Sequence, residues 1–103
     1  MKMAWGAIPI LRSRLCQRAV EQNVQLIRLG AAALNQTPLD WEGNISRIAS
    51  ACEEARRRQI SILCCPELCI SGYGCEDAFH SSGVLSTAME MLLELEPVSR
   101  GLV

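Results

Sequence analysis

The run ISILCCP at residues 60–66 constrains the fold more than any other stretch. Its apolar side chains fall on alternating and intervening positions alike, so both faces of the run require cover. That is the pattern of an inner strand in a parallel sheet packed on both sides. Pro66 has no N–H to give a ladder and closes the strand, which is predicted over 60–65. A parallel neighbour then needs a crossover connection, normally a helix.

The chain supplies that crossover immediately upstream. Ile45, Ile48, Ala49, Cys52 and Ala55 recur at helical spacing and form one apolar stripe. Asn44 reads as the N-cap, its short polar side chain bonding a free backbone N–H of the first turn. Glu53→Arg57 and Glu54→Arg58 are i,i+4 pairs in the better orientation, each worth about 0.2–0.5 kcal/mol. Before the helix, QTPLDWEGN is punctuated as a loop by Pro38, Asp40 and Gly43. Before that, RLGAAALN is small enough to pack between neighbours on both faces, and a strand is predicted over 28–35. The three elements make a βαβ unit with a right-handed crossover.

Downstream, SGYG reads as a turn and a second helix is predicted over 84–94. Its expected core face is Leu85, Ala88, Met89, Leu92 and Leu95, and Pro97 is expected to end it. GLV at 101–103 then begins a third strand. A unit of about eighty residues buries only part of its apolar surface, so this α/β portion reads as the front of a larger domain, incomplete in this chain.

Residues 1–25 are read as a basic arm outside the fold, leaving 26–103 as the domain portion. Lys2, Arg12, Arg14 and Arg18 are met by no acid before Glu21. The apolar run MAWGAIPIL is short, broken by proline and followed by no small-residue cleavage site, unlike a secretory signal. No run approaches the ~20 apolar residues of a membrane span.

Ten basic residues against eleven acidic ones give a net charge of −1, and no field that would gather nucleic acid. Six cysteines are many for this length. Cys64 and Cys65 are adjacent, a poor start for a disulfide framework, so the cysteines read as reduced, small hydrophobes of a cytoplasmic protein. A different reading makes Cys64, Cys65, Cys69, Cys75 and His80 a zinc or interaction module, although the spacings are not those of paired C-x₂-C knuckles.

Glu67 directly follows the Pro66 stop. Ligands of α/β sheets bind at the carboxyl ends of strands, in loops that the sheet positions. A partly desolvated carboxylate there has its pKa moved toward the working range of a general base. Spacing equally allows a loop carboxylate that caps a helix or accepts loop N–H bonds.

The ordered set of strand, Asp40-x-x-Gly43-Asn44, helix, strand, Pro66-Glu67-Leu68 and Gly72-Tyr73 resembles the carbon–nitrogen hydrolase (nitrilase-like) superfamily. GYGCEDAF after PEL more narrowly resembles the glutaminase domain of glutamine-dependent NAD synthetases. The resemblance implies an αββα sandwich and a Glu–Lys–Cys triad. In that triad the Glu is the general base, the Cys attacks the amide carbon and the Lys stabilises the tetrahedral intermediate. It implies that Glu67 is the base, that Tyr73 lines the glutamine pocket, and that Glu76 and Asp77 order the loop.

It further implies glutamine as substrate and a homo-oligomeric intact enzyme. No cofactor is expected in this chain; ATP is expected only at a synthetase half outside it, and no P-loop-like glycine-rich segment occurs here. The single lysine is Lys2, and Cys64, Cys65, Cys69 and Cys75 stand at the wrong place in the motif for the nucleophile. The chain alone is therefore expected to be catalytically inert. The runner-up within the superfamily is an amidase acting on small amides.

Overall fold

A computed structural model of the chain describes residues 26–103. The basic arm expected over 1–25 lies outside the described residues, and so do Lys2 and Cys16. The elements run β1 (Leu29–Ala31), α1 (Trp41–Arg57), β2 (Ile62–Cys64), a 3₁₀ helix (Glu76–His80) and α2 (Ser82–Ser99). β1 and β2 pair in parallel with Leu29 opposite Ile62, Gly30 opposite Leu63 and Ala31 opposite Cys64. The chain is therefore α/β and contains the expected βαβ unit.

Both strands are shorter than their apolar runs. At the start of the ladder the Ser61 N–H bonds the Arg28 carbonyl at 2.9 Å, and at its end the Ala32 N–H bonds the Cys64 carbonyl at 2.9 Å. Beyond Ala32 the backbone leaves the sheet, because residues 36–37 bond to Asn44 and to the loop after β2 instead. On the far side of β2, the Val103 N–H bonds the Ser61 carbonyl at 3.0 Å and the Leu63 N–H bonds the Val103 carbonyl at 2.8 Å. Those two bonds follow the parallel-ladder pattern. β2 thus carries main-chain bonds on both edges, but the sheet among the described residues has two strands and GLV is not itself assigned as one.

α1 starts earlier than the sequence suggests. Asp40 is the N-cap, accepting from the Gly43 N–H at 3.2 Å, while Asn44 lies inside the helix with no exposed surface. The cap assignment to Asn44 is corrected, since its amide serves bonds to two separate loops. The helix stops without a glycine: Gln59 takes φ 56°, and the Ile60 N–H reaches back to the Ala55 carbonyl at 2.9 Å. This is the reversal that left-handed C-terminal residues provide. Of the predicted stripe, Ile48, Cys52 and Ala55 are buried, and Ala51 joins them. The expected Glu53→Arg57 pair is replaced by a fork in which Glu54 holds both Arg57 and Arg58.

α2 is also longer than its periodicity implies. Pro97 falls inside the last turn and does not end the helix. So close to the C-terminus it removes only one ladder bond, and the Arg56 guanidinium bonds the Val98 and Arg100 carbonyls there. Leu95 packs on Ile48 and Cys52 to form the core, with Val98 and Leu102 against it. The predicted core face is corrected: Leu85, Met89 and Leu92 are exposed, as is Leu93. α2 packs against α1 and the 3₁₀ helix, yet much of its apolar surface stays open. No helix of the described residues is long and apolar enough to cross a membrane.

Candidate functional site

The segment that leaves β2, residues 65–75, is shaped by its own backbone before any side chain acts. Pro66 stops the ladder, and the Cys69 N–H returns to the Pro66 carbonyl at 3.2 Å. Leu68 takes φ 54°, and the Gly72 N–H bonds the Leu68 carbonyl at 2.7 Å. Gly72 has φ 81°, and a Cβ on it would stand 2.5 Å from the Thr37 carbonyl oxygen. Glycine is required there by both backbone conformation and space. Gly-Tyr is thus a turn that presses against the 37–38 loop, which it also bonds nearby, the Leu39 N–H donating to the Ser71 carbonyl at 2.8 Å.

A polar network fixes this turn to the start of α1. Asn44 Nδ2 donates to the Thr37 carbonyl at 2.8 Å and the Ile70 carbonyl at 3.0 Å. Asn44 Oδ1 accepts from the Thr37 N–H at 3.0 Å and from Arg47 Nη2 at 2.7 Å. Gln36 Nε2 donates to the Cys69 carbonyl and, at 3.2 Å, to the Asn44 carbonyl. Arg47 completes the set through Gln36 Oε1 at 2.8 Å and Asp40 Oδ2 at 3.0 Å. Two loops of distant sequence are thereby held on one helix end by satisfied bonds, and buried polar groups require such satisfaction.

Glu67 sits on this turn, one residue past Pro66, with its side chain exposed. The ion pairs among the described residues are Arg47–Asp40, Arg57–Glu54, Arg58–Glu54 and Arg100–Glu96. None of these arginines claims Glu67. Sequence reasoning expected partial desolvation; the carboxylate is exposed because nothing among the described residues covers the mouth of β2. Tyr73, the other predicted site residue, lies on the same segment and is 50% exposed. Glu76 and Asp77 open the 3₁₀ helix, and His80 ends it, all three exposed.

The cysteines have separate environments. Cys75 is buried and its thiol donates to the Ser71 and Gly72 carbonyls at 3.4 and 3.3 Å. Burial raises the pKa of the Cys52 thiol. Cys65 and Cys69 shift each other, Cys69 down to about 7 and Cys65 upward. Among the described residues no group of three or more His, Cys, Asp or Glu side chains could hold a metal ion. Cys64, Cys65, Cys69, Cys75 and His80 are therefore not gathered into a zinc centre, because strand, turn and 3₁₀ helix send them apart. A groove of about 480 Å³ between the core face of α1, β2 and α2 is lined by Ile48, Cys52, Leu63, Cys65, Leu92 and Leu95 among others. Neither Glu67 nor Tyr73 lines it.

Sequence reasoning missed Gln36, Asn44 and Arg47 as the residues that hold the turn. One signal was present. Asn44 stands four positions before Ile48 on the stripe that continues to Ala51 and Ala55, so it falls on the buried face.

The order of these parts is matched in known proteins. Residues 28–100 match the Carbon-nitrogen hydrolase family, and the chain belongs to that family. Within it, the chain is similar to glutamine-dependent NAD(+) synthetases. It is 37% identical over 79 residues to that of Bos taurus, covering 75% of this chain and 11% of the relative. It is 40% identical over 70 residues to that of Saccharomyces cerevisiae, covering 68% of this chain and 10% of the relative. The crystal structure of a glutamine-dependent NAD(+) synthetase from Cytophaga hutchinsonii superposes with a TM-score of 0.73 at 49% identity. It covers 76% of this chain and 13% of that one. The chain thus spans about a tenth of the length of the curated relatives it matches.

Proposed function

We propose that residues 26–103 are the opening portion of the glutamine-hydrolysing domain of an NAD synthetase, and that Glu67 is its general base. The carrying observation is the placement of Glu67. It stands at the carboxyl end of β2, on a turn fixed by the Asn44 network, with no arginine of the described residues pairing with it. A carboxylate on a backbone held at the strand end, with no ion pair to a described arginine, suits proton abstraction, because its oxygen lone pairs stay available.

In the reaction this supports, the carboxylate takes the proton of a cysteine thiol. The thiolate adds to the glutamine amide carbon, and the proton returns to the leaving nitrogen as ammonia departs. Water, deprotonated by the same carboxylate, then releases glutamate from the thioester. Tyr73 lines the pocket for glutamine. The thiol and the lysine that would stabilise the oxyanion come from outside the 103 residues, whose one lysine is Lys2. The chain by itself is accordingly inert toward glutamine.

The intact enzyme would be a cytoplasmic homo-oligomer, using ATP at a synthetase domain and none in this portion. An amidase for free small amides fits the Glu67 turn equally well, but the resemblance over this stretch runs to NAD synthetases. The test is a chimera: residues 28–103 replace the matching stretch of the Cytophaga hutchinsonii enzyme, and NAD formation is followed with glutamine as the nitrogen source. Glutamine-supported synthesis is expected. Loss of it in a folded chimera that still uses ammonia would contradict the assignment.

A further inference from the structure

We propose that Gln36 is a positioning residue for glutamine hydrolysis: through the Cys69 carbonyl it sets the direction in which the turn presents Glu67. That role rests on Glu67 being the general base. Residues 66–69 form a four-residue turn, closed by the Cys69 N–H on the Pro66 carbonyl at 3.2 Å. Glu67 and Leu68 are its two central residues. The course of the turn's backbone therefore decides where the Glu67 side chain sets out.

The turn needs outside support to hold this shape. Leu68 takes φ 54°, a conformation costly for a residue with a Cβ, which turns usually give to glycine or asparagine. Leu68 is 42% exposed, so its own burial offsets little of that cost. Strained backbone of this kind persists where neighbouring groups over-determine it. The Gly72 N–H bonds the Leu68 carbonyl at 2.7 Å, and Gln36 Nε2 donates to the Cys69 carbonyl. The first bond lies within the segment, while the second ties the segment to the start of α1. Asn44 acts one residue further from Glu67, on the Ile70 carbonyl at 3.0 Å.

Gln36 is itself aimed. Arg47 Nε donates to Gln36 Oε1 at 2.8 Å, which turns the amide nitrogen toward two carbonyls, that of Cys69 and, at 3.2 Å, that of Asn44. An amide nitrogen carries two protons, so both find an acceptor. Arg47 Nη2 is held in turn by Asp40 Oδ2 at 3.0 Å and Asn44 Oδ1 at 2.7 Å. The line of bonds from Asp40 through Arg47 and Gln36 to Cys69 thus joins the cap of α1 to the far side of the Glu67 turn. A catalytic group misplaced by about 1 Å costs on the order of 100-fold in rate, so a support of this kind is felt in turnover.

The test is Gln36→Glu in the chimera with the Cytophaga hutchinsonii enzyme, made alone and together with Glu67→Gln. Glutamate keeps the size of the side chain and an oxygen for Arg47, and puts an acceptor where Cys69 needs a donor. kcat and KM for glutamine are measured, with ammonia-driven synthesis as the control. Gln36→Met, of similar length and with no donor, gives the same reading where the charged variant fails to fold.

The glutamine-driven kcat should fall by about 10- to 100-fold, with KM nearly unchanged and ammonia-driven synthesis retained. Added to Glu67→Gln, the same change should lower the residual rate no further, because residues that act through one proton transfer are not additive. An unchanged kcat in both Gln36 variants, with turnover lost in Glu67→Gln, would overturn the positioning role and leave Glu67 as the base. A loss confined to KM, or a further fall in the Glu67→Gln background, would also overturn it, since Gln36 would then support only the pocket or the fold. Turnover that survives Glu67→Gln would overturn the role of Glu67 and that of Gln36 with it.

Discussion

Replacing Asn44 with alanine removes the α1 side chain that bonds both loops. Four hydrogen bonds disappear, two donated to the Thr37 and Ile70 carbonyls and two accepted from the Thr37 N–H and Arg47. Arg47 keeps its bonds to Asp40 and Gln36, and the Thr37 carbonyl keeps the Asp40 N–H at 3.3 Å, so two backbone groups are orphaned, the Thr37 N–H and the Ile70 carbonyl. An orphaned buried group costs about 1–3 kcal/mol. Thr37 is exposed and Ile70 half-buried, so water partly replaces the amide and the low end applies, giving about 2 kcal/mol in all. A unit of roughly eighty residues has a total stability of about 4–12 kcal/mol. The loss is therefore a large share of it.

With a urea slope of about 1 kcal/mol per molar, the unfolding midpoint followed by circular dichroism should fall by about 2 M. The turn should also open locally, so a glutamate-specific protease should cut after Glu67 faster in Asn44→Ala than in the parent. A midpoint within about 0.5 M of the parent, with unchanged cleavage after Glu67, would refute the claim that Asn44 holds this turn.

Gly72→Ala places a Cβ 2.5 Å from the Thr37 carbonyl at a positive φ, and should lower stability by about 2–3 kcal/mol, read as a fall in Tm. Leu95→Ala removes the α2 anchor from the Ile48–Cys52 core and should cost about 2–3 kcal/mol in urea unfolding. Alkylation of Cys69 by iodoacetamide should rise with pH through a midpoint of about 7, because only the thiolate reacts. In Cys65→Ala the loss of that neighbour should move the midpoint upward. Because folding favours the Cys69 thiolate, its contribution to stability is full above the unfolded thiol's range and is lost as pH falls through about 7. The raised Cys65 opposes this at higher pH, so the net slope with pH should be positive between about 7 and 9 and turn negative beyond.

The elements that sequence reasoning located are those whose signal is local. β2 was legible because apolar residues on both faces and a proline stop have one simple explanation, and α1 because its stripe is strong. The roles proposed for Glu67 and Tyr73 rest only on the order of motifs, since a carboxylate or a phenol after a strand has many ordinary uses. The start of α1 was misplaced because Asp40 and Asn44 are both good caps. The choice between them rests on bonds to Thr37 and Ile70 that no local window contains. Gln36 reaching Cys69 is a contact of the same long-range kind. For α2 the periodicity was read as a core face, yet it records only which side is apolar.

The central claim is that Glu67 accepts the proton that starts amide hydrolysis. It is tested most directly by Glu67→Gln in the chimera with the Cytophaga hutchinsonii relative, comparing NAD formation driven by glutamine and by ammonia. Glutamine keeps the size and hydrogen-bonding capacity of the side chain and removes the base. The account predicts that glutamine-driven synthesis falls by at least about 100-fold, the scale of a lost general base, while ammonia-driven synthesis is unchanged. Glutamine-driven synthesis that survives the substitution would contradict it.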